Sequence, residues 1–205
     1  MNAPPQARLR VEGLHSRLAG PFDLTVAPGE CIAIAGPSGS GKSLLLRMIA
    51  DLDPSEGKVW LDGQERHDFP APAWRHQVLY NAAETGWWSE TVADHFLGPG
   101  LEFARTMVPR LGLPSDLLDG PVLRLSTGER QRLALIRALV CAPKVFLADE
   151  PTGALDQEAT ALVETILRER LADGVAIVLV THSPEQAARL GHRQFRMQDR
   201  HLVAP

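Results

Sequence analysis

The sequence predicts an α/β fold: a mixed, mainly parallel sheet with helices on both faces. Three observations carry this. In the last third, short apolar runs alternate with helix-patterned segments, the order that builds a parallel sheet with crossover helices. Before residue 65, short strand-like runs are separated by turn residues. The chain has 205 residues, 44% hydrophobic and 22% charged, which suits one folded domain with a substantial core and excludes disorder and small disulfide-stapled classes. No repeat and no long Pro/Gly/Ser-rich linker divides it.

In order, residues 9–11 and Phe22–Val26 read as strands, and Pro28-Gly29-Glu30 turns the chain into the apolar strand Cys31–Ala35. A glycine-rich loop precedes a helix over 44–51, and 57–63 alternates as one arm of a hairpin. A strand over 78–80 leads to a mainly helical insert from 91 to 140, interrupted at Gly98-Pro99-Gly100 and around 112–114. Then come a buried strand over 145–148, a helix over Gln157–Ala172 with Val163, Ile166, Leu167 and Leu171 on one face, strand Ala176–Val180, helix Pro184–Leu190, and a strand near Phe195. In such a sheet ligands bind at the carboxyl ends of the strands.

Charge and composition narrow the function. A net charge of −4 gives no basic excess, so nucleic acid is not an expected partner. The longest strongly apolar run, about 175–180, falls far short of the roughly 20 residues needed to span a bilayer, and residues 1–10 lack a signal peptide's apolar stretch. A cytosolic chain is expected. Cys31 and Cys141 sit in apolar settings without metal or redox spacing, so both are expected to be buried and inert. Of 21 basic residues only Lys42, Lys58 and Lys144 are lysines.

The strongest motif is Gly36-Pro37-Ser38-Gly39-Ser40-Gly41-Lys42-Ser43, which matches G-x-x-x-x-G-K-[ST] directly between a predicted strand and a predicted helix. Its glycines let backbone N–H groups turn inward around phosphate oxygens, and the helix start adds its positive dipole end. Leu44 continues this run of amides. Lys42 offers a compact charge to the β and γ phosphates, and the Ser43 hydroxyl suits Mg²⁺. A nucleoside triphosphate is implied. The apolar run before Asp149-Glu150 delivers two carboxylates at a strand's carboxyl end: Asp149 to hold the metal, Glu150 to accept a proton from attacking water. His182, after the next strand, is placed to approach the γ-phosphate.

Between these features lies Leu125-Ser126-Thr127-Gly128-Glu129-Arg130-Gln131-Arg132, which resembles the signature motif of ATP-binding cassette proteins. The order of phosphate loop, signature, Asp-Glu strand, Gly153-Ala154-Leu155-Asp156 and His182 is the cassette's order over nearly the whole chain. The resemblance implies a P-loop ATPase fold with an N-terminal antiparallel β subdomain and a helical insert: a single domain over 1–205, with a core of about 1–84 and 141–205 and a helical subdomain of about 85–140. It implies ATP and Mg²⁺, hydrolysis, and a dimer with itself or a paired cassette. In that dimer Ser126, Thr127, Gly128 and Glu129 would close over the partner's ATP, Asp156 would couple the two sites, and His182 would contact the γ-phosphate. The Ser126 hydroxyl and the Gly128 amide are expected to be free as an anion site. A separate integral membrane permease is implied as well, holding the chain at the cytoplasmic face of the inner membrane.

Several positions depart from the family pattern. Thr127 and Glu129 replace a glycine and a glutamine of the usual signature, and Leu44 replaces a hydroxyl residue. Ala83 falls where a metal-sensing glutamine is usual, so Glu84 is the nearest substitute. Ser16, beside His15, falls where an adenine-stacking aromatic is usual. Trp87-Trp88 either docks the membrane partner or packs within the insert. Two other functions remain open: a soluble cassette acting on DNA, ribosomes or assembly machinery, and a nucleotide-binding regulator with little hydrolysis.

Overall fold

The computed structural model describes residues 7–204. Strands β1 (Leu9–His15), β2 (Phe22–Val26), β4 (Glu56–Leu61) and β5 (Gln64–Glu65) form an antiparallel sheet in the order β2-β1-β4-β5. Alternation explains it: Leu9 and Val11 on β1, Phe22, Leu24 and Val26 on β2, and Val59 and Leu61 on β4 are buried while residues between them face outward.

Strands β3 (Cys31–Ala35), β7 (Val145–Asp149) and β8 (Ala176–Val180) are apolar at nearly every position and buried on both faces, as central parallel strands must be. With β6 (Val78–Asn81), β9 (Arg193–Gln198) and β10 (His201–Val203) they form a six-stranded sheet ordered β10-β9-β3-β8-β7-β6, parallel except for the β9–β10 hairpin. Alternate residues of the central strands feed two cores. Ile32, Ile34, Leu147 and Val178 meet helix α1 (Lys42–Ile49), Trp74 of helix α2 (Ala71–Gln77) and the antiparallel sheet. Phe146, Ala148, Ile177 and Leu179 meet helices α3 (Pro99–Arg110), α4 (Thr127–Val140), α5 (Gln157–Ala172) and α6 (Pro184–Leu190). Helices therefore cover both faces.

Three expectations need correction. Helix α1 begins at Lys42, two residues before the predicted 44, because the phosphate loop turns directly into it. The expected interruption at Gly98-Pro99-Gly100 is confined to Gly98, at φ 53°, which parts a short turn over Ala93–His95 from α3. Pro99 and Gly100 already belong to that helix: Pro99 lies in the first turn, where its missing N–H costs nothing, and a Cβ on Gly100 would lie 2.8 Å from Val140 Cγ1. Cys31 is buried, and desolvation followed by the charge of Glu30 pushes its thiol up to about 12; Cys141, however, is only partly buried, and burial again raises its thiol. Among the described residues, no helix is long and apolar enough to cross a membrane.

Candidate functional site

Because β3, β7 and β8 are parallel neighbours, the loops after them meet at one edge. The loop after β3 lies flat on β9: a Cβ on Gly36 would come within 2.6 Å of the Met197 carbonyl oxygen, so only glycine allows this approach. Gly41 precedes α1 without any side-chain cap, which leaves the first-turn N–H groups of the helix free for an anion. Lys42 is buried and folded back into the loop, donating from Nζ to the carbonyls of Gly36 at 2.9 Å and Pro37 at 2.8 Å. Ser43 is exposed on the first turn, and Ser40 Oγ is buried without a partner.

A cavity of about 340 Å³ covers this loop. Ser38, Gly39, Lys42 and Ser43 of the loop line it together with Glu150 and His182. Residues separated by more than 100 positions are thus brought together as the motifs predicted. Two lining residues carried no motif: Leu18 and Arg200, the latter in the β9–β10 turn with Nη1 donated to the Leu18 carbonyl at 2.7 Å.

Asp149 ends β7 and is 2% exposed. Its Oδ2 accepts the Tyr80 hydroxyl at 2.8 Å, and its Oδ1 is buried without a partner. Burial, reinforced by the charge of Asp149, raises the Tyr80 phenol, which stays a donor. Glu150 follows in the left-handed region at φ 48°, with its N–H donated to the Val180 carbonyl at 2.9 Å. From this turn its side chain lines the cavity beside His182, with Oε1 2.6 Å from His182 Nε2. Gln131 of α4, buried at 5% exposure, braces the same turn: Nε2 donates to the Glu150 carbonyl at 2.7 Å, and Oε1 accepts the Ala154 N–H at 3.1 Å.

The signature turn is exposed at Ser126 and Thr127, and none of Ser126, Thr127, Gly128 or Glu129 lines the phosphate cavity of its own chain. The Ser126 hydroxyl, expected to be free, is engaged. Ser126 caps α4, accepting the Glu129 N–H at 3.3 Å, while its own N–H and hydroxyl each donate to Glu129 Oε2 at 2.8 Å. Those bonds, first the backbone one, hold the Glu129 carboxyl below the usual carboxylate range. Gly128 packs against Ala154 and Leu155, linking the signature to the turn before Asp156. Asp156 is exposed and caps α5, its Oδ1 accepting the Ala159 N–H at 2.8 Å.

Ala83 and Glu84 are exposed, and Glu84 lines a separate groove with Asn81, Trp88 and Arg137 instead of the phosphate cavity. His15 and Ser16 line a wide cavity of about 870 Å³ that adjoins the phosphate cavity through Leu18 and Leu44. The tryptophans divide: Trp87 is partly buried against the helical core, whereas Trp88 is 71% exposed. Both ring faces meet Arg137, whose Cζ lies 4.8 Å and 4.7 Å from their centroids. His95 sits between them, accepting the N–H groups of Trp88 and Ser89 on Nε2.

Comparison with known proteins gives a consistent result. The family model described as ABC transporter matches residues 20–153. The chain is 38% identical over 201 residues to the lipoprotein-releasing system ATP-binding protein LolD of Shewanella oneidensis, covering 89% of this chain and 86% of that protein. It is 35% identical over 210 residues to the macrolide export ATP-binding/permease protein MacB of Nitrosomonas europaea, covering 95% of this chain and 31% of that one. Its fold superposes with a TM-score of 0.82 and 25% identity on the dimeric post-hydrolysis structure of the ATP-binding cassette MJ0796 bound to ADP and Pi, covering 95% and 96% of the two chains.

Proposed function

The chain belongs to the ABC transporter family, and from that premise we propose that it is the ATP-binding and ATP-hydrolysing subunit of a transporter, dimerising on ATP to drive a separate permease. It is then a single cassette over 1–205, in which the helical segment of about 85–140 carries the signature between the core segments 1–84 and 141–205. The similarity to LolD, named an ATP-binding protein, and to MacB, named for both ATP-binding and permease parts, supports a membrane partner. The permease would hold the chain at the cytoplasmic face of a membrane.

The observation that carries hydrolysis is the Glu150–His182 contact of 2.6 Å above the phosphate loop. The amides of residues 38–44 and Lys42 hold the phosphates, and Lys42 exchanges its loop carbonyls for phosphate oxygens. Glu150 accepts the proton of the attacking water, and His182 holds the Glu150 carboxylate and faces the γ-phosphate. Ser43 and Asp149 fit Mg²⁺: both offer hard oxygen donors, and the buried, unpartnered Asp149 Oδ1 is an acceptor waiting for a donor or a metal-bound water. Magnesium there would neutralise charge building on the phosphates. Ser126 and Gly128 of the partner subunit complete each site from across the dimer, with Thr127 and Glu129 of the partner subunit shaping that turn and Asp156 at the seam. The missing glutamine's coupling role would fall to Glu84, beside Ala83, which lines the groove with Asn81, Trp88 and Arg137.

Glu150→Gln decides the assignment. This variant should bind ATP and form a dimer by light scattering, while steady-state phosphate release falls at least about a hundredfold. Turnover at the wild-type rate would overturn Glu150 as the base.

A further inference from the structure

We propose that Tyr80 is a positioning residue for Asp149, its hydroxyl holding one carboxylate oxygen so that the other is presented to the metal-bearing triphosphate. The inference rests on the reading of Asp149 as a metal-holding group. It begins with register. β6 and β7 pair in parallel with Tyr80 opposite Leu147, so the Tyr80 ring leaves the same sheet face as Asp149, two positions further along β7, and reaches past that offset. The ring packs in the α1-side core, and its hydroxyl ends 2.8 Å from Oδ2.

Asp149 is 2% exposed, so water cannot satisfy its carboxylate from all sides. Among the described residues Tyr80 is the one side chain that donates to it, and Oδ1 has no partner. A carboxylate held by a single short bond to one oxygen has a fixed plane and one free oxygen. Without that bond the group rotates about its Cβ–Cγ axis and presents either oxygen. Groups that orient a metal-holding residue typically change metal affinity by about 10- to 100-fold. Phenylalanine keeps the ring in the core and removes only the donor.

The test is the metal dependence of nucleotide binding by the purified full chain, read by calorimetry as Mg²⁺ is titrated into protein saturated with ATP. Tyr80→Phe should weaken the Mg²⁺-dependent step about tenfold while ATP binding in EDTA stays within about twofold of wild type. Equal loss in both conditions would mark a merely structural role and overturn the proposal, as would no loss in either. Asp149→Asn separates this from the parent reading. If it leaves the Mg²⁺ dependence intact, the reading of Asp149 fails; if it abolishes that dependence and Tyr80→Phe does not weaken it, only the Tyr80 inference fails. Should Tyr80→Phe not fold, the wild type still answers, because Tyr80 is the chain's single tyrosine and gives one ring Cζ resonance. That resonance should move when Mg²⁺ is added to the ATP-saturated protein, and its standing still would refute the proposal.

Discussion

At φ 48°, Glu150 occupies backbone space that a residue with a side chain enters at a cost of about 1–3 kcal/mol, and its surroundings hold it there. Gln131 is the principal brace, gripping the Glu150 carbonyl and the Ala154 N–H at once. Gln131→Leu keeps the volume but strands both backbone groups. It should lower stability by about 1–3 kcal/mol in urea titration and cut ATP turnover about tenfold or more, with ATP affinity nearly unchanged. Unchanged turnover at reduced stability would show that the brace serves folding alone. Gln131 stood in the signature string without an assigned role because its partners lie 19 and 23 residues away, a separation that no local pattern encodes. Asp149, Glu150 and His182 were legible as a cluster for the opposite reason: each lies at or within two residues of the carboxyl end of an apolar strand, and parallel strands bring their ends together. The pairing of Tyr80 with Asp149 needed the β6–β7 register, which sequence period does not supply.

The elements show the same division. Strands Phe22–Val26, Cys31–Ala35 and Ala176–Val180 and helices Gln157–Ala172 and Pro184–Leu190 match their predicted bounds because burial writes a local period. Helix α1 starts before its apolar pattern does because its first residues, Lys42 and Ser43, are polar. The bond between α5 and α6 was invisible. Glu164 of α5 is 2% exposed and accepts a forked pair from Arg189 of α6, at 2.6 and 2.9 Å, with Arg168 at 3.0 Å. Burial alone would raise this carboxyl, but the Arg189 hydrogen bonds and charge, with Gln186 and Arg168, outweigh it and hold the group below its ordinary value. A depressed carboxyl stabilises the fold above its unfolded value of about 4.3, and that contribution disappears as pH falls through the lower folded value. Glu164→Gln should therefore lower Tm by a few degrees at pH 7, and the variant and wild-type curves should converge at more acid pH. Parallel curves down to pH 3 would show that the charge of Glu164 is irrelevant.

On the scale of the whole molecule, phosphate loop and signature belong to one chain but not to one cavity, so the proposed dimer is what makes either useful. The proposed membrane partner would need a different face. Trp88 is 71% exposed and stacked on Arg137, at the mouth of the groove that Glu84 and Asn81 line. Trp88→Ala should leave ATP hydrolysis by the isolated chain within about twofold of wild type, since Trp88 lies outside the phosphate cavity. It should reduce co-purification with the permease at least about tenfold. Retained co-purification would assign Trp88 to packing within the insert.

The position of β3 in its sheet also dictates a history. The strand that feeds the phosphate loop is flanked by β8 and β9, both built from residues beyond 175, and Gly36 rests on Met197. A ribosome releases residues 31–43 long before residues 176–198 of β8 and β9 exist, so through that interval the loop lacks the strands that shape it. Nucleotide binding through this loop then follows translation of β8 and β9, the two strands that flank β3.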